Sequence, residues 1–72
     1  MVRLIMVNTT TLYATFAGRL LLSVKQQADL AYIRIYDKSK NNKLVWDYAE
    51  PTLEQAQYTA VLAATSYLDN RF

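Results

Sequence analysis

The chain contains no histidine and no cysteine, a single glycine (Gly18) and a single proline (Pro51). Each absence excludes something. Histidine is the commonest general acid–base residue, and thiol chemistry needs cysteine. Most structural zinc sites use one or both. Phosphate-cradling loops need several glycines close together. The hydroxyls of Thr9, Thr10, Thr11 and Ser23 have no histidine to activate them, so a nucleophile triad of the usual kind is excluded. Six acidic residues are scattered along the chain. Asp47, Glu50 and Glu54 come near one another in sequence, but acidic residues at a helix start are expected from the helix dipole alone. The expectation is a protein that is not an enzyme, with no cofactor, no metal and no small-molecule substrate.

Long hydrophobic runs are missing too. No stretch approaches the roughly 20 apolar residues of a membrane-spanning helix. The N-terminal MVRLIMVNTTT has one basic residue and an apolar run that ends too soon for a signal peptide. Without cysteine there is no disulfide framework, which suits a reducing compartment. A cytoplasmic protein with no membrane partner is expected.

What is present is apolar surface. At 72 residues and 53% hydrophobic, the chain reads as a single domain, 1–72, near the lower size limit for independent folding. So small a domain cannot bury all its apolar area in one thin core, and self-association covers the remainder. The net charge is +2. Basic residues dominate as far as Lys43, and Asp47, Glu50, Glu54 and Asp69 dominate after it. A basic face of that kind attracts acidic partners.

The last third reads as a helix. Thr52 and Gln55 have capping-box spacing, and Pro51 ends the preceding strand and is tolerated in a first helical turn. At 100° per residue, Leu53, Ala56, Ala60, Val61, Ala63, Ala64, Tyr67 and Leu68 share one side. Its alanines let a helix lie close to a sheet. Tyr58 and Leu62 fall off that side, one turn apart, as a candidate self-association spot.

Residues 30–48 read as a β-hairpin rich in β-branched and aromatic residues. Pairing Tyr36 with Leu44 also pairs Asp37 with Lys43, Arg34 with Trp46 and Tyr32 with Tyr48. Such cross-strand pairs contribute roughly 0.2–1 kcal/mol each. The loop is then Ser39-Lys40-Asn41, with Asn41 left-handed. Residues 10–27 fit a second hairpin around Gly18, pairing Phe16 with Leu20, Ala14 with Leu22 and Leu12 with Val24. This register puts Arg19 at the left-handed loop position. Val2, Leu4 and Met6 continue the apolar face through a turn at Asn8-Thr9-Thr10. The alternative is a helix over 10–27, giving β-α-β-β-α.

The expected fold is therefore α+β: an antiparallel sheet of four or five strands with one C-terminal helix packed on one face. Ala31, Ile33, Ile35 and Val45 would seat that helix, with Asp47 on the same side. Tyr32, Arg34, Tyr36, Leu44, Trp46 and Tyr48 would share the opposite face. Tyr, Trp and Arg are enriched at interface hot spots, so Tyr32, Arg34, Tyr36, Trp46 and Tyr48 are the candidate binding residues. The expected function is binding to a protein partner, as a small adaptor, modulator or inhibitor that also forms a homodimer. The alternative is a nucleic-acid-binding module that stacks bases on this face beside Arg34, Lys38, Lys40 and Lys43.

Overall fold

The computed structural model describes residues 10–70. The expected strand formed by Val2, Leu4 and Met6 lies outside the described residues. Four strands, β1 (Thr10–Phe16), β2 (Leu20–Gln27), β3 (Leu30–Asp37) and β4 (Lys43–Glu50), form an antiparallel sheet in the order β1-β2-β3-β4. A single helix, α1 (Leu53–Leu68), follows and packs on one face. Residues 10–27 are strands, not helix.

The first hairpin has the expected register: Phe16 opposes Leu20, Ala14 opposes Leu22 and Leu12 opposes Val24. Its turn differs from expectation. Ala17 (φ 56°) and Gly18 (φ 67°) are left-handed, and Arg19 is not. The Arg19 amide donates to the Phe16 carbonyl at 3.1 Å. Two consecutive left-handed residues give a turn whose twist matches the strands it joins. The cost falls on Ala17, which carries a Cβ in that conformation. The β2–β3 turn places Ala28 at φ 56°. The Gln26 side-chain amide braces it, donating to the Ala28 carbonyl at 3.2 Å and the Leu30 carbonyl at 3.3 Å.

The second hairpin begins as expected and then departs. Asp37 opposes Lys43 and Tyr36 opposes Leu44. The loop is longer than three residues: Lys38–Lys40 form a 3-10 turn, and both Asn41 (φ 63°) and Asn42 (φ 59°) are left-handed. A β-bulge then absorbs Val45, and the register shifts by one. Ile35 opposes Trp46, Arg34 opposes Asp47 and Ile33 opposes Tyr48. The expected Arg34–Trp46 and Tyr32–Tyr48 pairs do not form. The bulge lets both Val45 and Trp46 pack against the core. Half-burying an indole removes on the order of 100 Å² from water, worth roughly 2–3 kcal/mol. That outweighs aromatic pairs worth roughly 0.2–1 kcal/mol each.

Cross-strand neighbours share a face, so the core comes from alternate residues. Leu20, Leu22 and Val24 of β2 and Ala31, Ile33 and Ile35 of β3 are buried beneath Ala56, Ala60, Ala63 and Ala64 of α1. Thr52 caps the helix, its hydroxyl accepting from the Gln55 amide at 3.1 Å and donating to Gln55 Oε1 at 3.2 Å. Asn70, left-handed at φ 56°, ends it. The helix lies over β2 and β3, touches β4 less and barely reaches β1. Val61, expected on the buried side, is consequently 47% exposed. It stands over the gap beside β1. Tyr58 and Leu62 are exposed, as their place on the wheel implies.

Candidate functional site on the uncovered sheet face

One helix covers one face of the sheet, and no described element covers the other. Strand alternation sends Thr11, Tyr13 and Thr15 of β1, and Leu21, Ser23 and Lys25 of β2, to the open side. From β3 come Tyr32, Arg34 and Tyr36. The strand register sorts them into transverse rows. Tyr13, Ser23, Arg34 and Asp47 form one, with Thr11, Lys25, Tyr32 and Ala49 on one side of it. Thr15, Leu21, Tyr36 and Leu44 lie on the other side. A shallow concavity of about 290 Å³ runs across this surface, lined by Tyr13, Ser23, Lys25, Tyr32, Arg34 and Tyr36 among others. Arg34 is exposed on its β3 side, with Tyr32 and Tyr36 two residues to either side along the strand.

Three of the five expected binding residues, Tyr32, Arg34 and Tyr36, are thus together on one face. Trp46 and Tyr48 are not with them. The bulge at Val45 turns both to the helix side, where their rings stack with centroids 5.7 Å apart and planes 28° from parallel. Asp47 takes the place expected of Trp46 and opposes Arg34, so the basic character of the face is moderated. Tyr13 completes the tyrosine set. Its signal was the odd-numbered, amphipathic alternation of Tyr13, Thr15 and Ser23 in the first hairpin.

A second polar cluster lies at the far end of the sheet. The carboxylate of Asp37 is fully buried. Arg19 Nε donates to its two oxygens at 3.1 and 3.2 Å, and Nη2 to Oδ2 at 2.7 Å. Oδ1 accepts from the Ser39 amide at 2.9 Å and hydroxyl at 2.7 Å. Oδ2 accepts from the Tyr67 hydroxyl at 2.7 Å. The Arg19 guanidinium also lies 5.6 Å from the Tyr67 ring centre, a cation–π distance. The hydrogen bond from Arg19 is the main cause that holds the Asp37 carboxyl far below the usual carboxylate range, against the opposing effect of burial. Asp37 in turn holds the Arg19 guanidinium above its ordinary value.

The expected pairing of Asp37 with Lys43 survives only as backbone register. The carboxylate belongs to Arg19. Its hydrogen bonds join the β1–β2 turn, the β3–β4 loop and the C-terminal turn of α1. Glu50 makes a smaller link of the same kind, accepting from the Thr59 hydroxyl at 2.6 Å. Both carboxylates are engaged in fastening elements together. No family model matches this chain, and no curated protein or solved structure matches it. No helix among the described residues is long and apolar enough to cross a membrane.

Proposed function

We propose that this chain is a non-enzymatic, cytoplasmic binding protein that engages a protein partner through its uncovered sheet face. The observation that carries this reading is the set of Tyr13, Tyr32 and Tyr36 around Arg34 on a concave surface with no helix over it. Tyrosine and arginine bury large area with few rotors and keep a polar end for hydrogen bonding, which makes them frequent interface anchors. A rigid sheet presents them with little ordering cost. Asp47 opposite Arg34 favours a partner of mixed polarity over a polyanion.

Capture from an extract of the native host tests this, with wild type compared against an Arg34→Ala/Tyr36→Ala variant. The expected result is a protein captured by wild type, retained at raised salt and lost by the variant, whose circular dichroism is unchanged. Labelled single-stranded DNA and RNA are the contrasting probes. Binding of these probes, falling steeply with salt, would replace the reading with the nucleic-acid one.

A further inference from the structure

We infer that β1 pairs edge to edge with β1 of a second copy of this chain, antiparallel and centred on Tyr13, so that one sheet runs through both copies. The two edges of the sheet differ. Strand β4 carries Lys43, Asp47 and Glu50, contains the bulge at Val45 and is followed by Pro51. Charges, a bulge and a proline are the devices that keep edge strands from pairing. Strand β1, TTLYATF, has none of them. Among the described residues, one edge of the sheet carries devices against strand addition, and the other carries none.

The surface beside β1 points the same way. Because α1 barely reaches β1, a groove of about 320 Å³ opens along the strand on the helix side. It is lined by Leu12, Ala14, Leu22, Val24, Ala60 and Val61 among others. An added strand continues the sheet and sets its own apolar residues beside this groove.

The occupant is argued from self-complementarity. With Tyr13 opposite itself, Leu12 opposes Ala14 and Thr11 opposes Thr15. A large side chain meets a small one on the groove side, and threonines and tyrosines pair on the open side, all favourable neighbours. A slip by one residue would set Leu12 against Tyr13 and put the two helices on opposite faces. The tyrosine-centred register keeps both helices on one side and uses all seven residues. Charge selects the same orientation. Lys38, Lys40 and Lys43 outnumber Asp69 at the β3–β4 loop end, whereas Asp29, Glu50 and Glu54 outnumber Lys25 at the opposite end. Antiparallel pairing turns the basic end of one copy toward the acidic end of the other.

Sedimentation equilibrium of the full chain is expected to show a dimer at micromolar concentration. Ala14→Lys puts a charge at the join and should weaken the dimer by at least about tenfold. The strand is exposed at Ala14, so circular dichroism should not change. The chain has no cysteine, which allows a second test that does not depend on losing the dimer. Opposed residues in an antiparallel pair are about 4.5–5.5 Å apart at Cα, within disulfide reach. Tyr13→Cys should therefore cross-link to its own copy under mild oxidation, and Leu62→Cys should not. A monomer at high concentration overturns the inference, and the edge is then covered from within the chain or by another protein. A dimer that cross-links through Leu62→Cys and not Tyr13→Cys also overturns it and moves the interface to the helix. Arg34 and Tyr36 lie away from this edge, so their alanine variants should still dimerise whatever becomes of partner binding.

Discussion

Arg19 and Asp37, 18 positions apart in sequence, meet through three side-chain hydrogen bonds of 2.7–3.2 Å at the end of the sheet. The carboxylate is fully buried, while the Arg19 side chain keeps 42% of its exposure. Burying a charge is costly unless it is paired and hydrogen-bonded, and Ser39 and Tyr67 complete the satisfaction of Asp37. Removing Arg19 leaves the buried carboxylate without its cation. Arg19→Ala should lower the thermal midpoint by on the order of 10 °C. Arg19→Ala combined with Asp37→Asn should recover part of that loss, because the uncompensated charge is gone. Thermal denaturation of both variants checks this.

The same pair sets a pH dependence. The folded pKa of Asp37 is depressed, so its contribution is fully present above the unfolded value of about 4. Below that pH the unfolded chain binds the proton first, and stability falls as pH falls. The stability difference between wild type and Asp37→Asn should be flat from neutral pH down to about 5 and shrink below about 4. Urea titrations of both proteins across that range measure it. A difference that shrinks near neutrality would contradict the assignment.

Two turns carry an alanine where the backbone asks for glycine. Ala17→Gly and Ala28→Gly should each stabilise the fold by about 0.5–1 kcal/mol, since both residues are left-handed. Gly18→Ala should do the reverse by about 1 kcal/mol. A Cβ at Gly18 would meet nothing within 4 Å, so that cost is backbone strain without a clash. Denaturant midpoints at constant m-value give all three numbers.

The bulge makes a prediction about Trp46. Its indole packs against the core, so Trp46→Ala should cost about 2–3 kcal/mol. Tyr32→Ala, on the open face, should cost about 1 kcal/mol or less. Had the hairpin kept one register throughout, both side chains would lie on the same face and the costs would be comparable. Chemical denaturation of the two variants separates the cases.

Much of this architecture was legible in the sequence because it rests on local signals. The alternation of Leu12, Ala14, Phe16, Leu20, Leu22 and Val24 sets a strand period and one hairpin register. The alanines at 56, 60, 63 and 64, with Thr52 before them, mark a helix, its buried side and its start. Gly18 marks a turn, and the Ala28-Asp29 turn carries no comparable mark. Tyr32, Arg34 and Tyr36 share a face because residues two apart on a strand always do. The tertiary structure decided the rest, since it depends on groups distant in sequence competing for the same space. Trp46 left the aromatic face because the core offered its indole more than a cross-strand partner did, and a bulge at Val45 was the means. Asp37 went to Arg19, not to its strand neighbour Lys43, because the fold brought Arg19 and Tyr67 to a buried carboxylate already held by its near neighbour Ser39. Val61 and β1 stayed open because α1 settled over β2 and β3, where its alanines find the deepest seat.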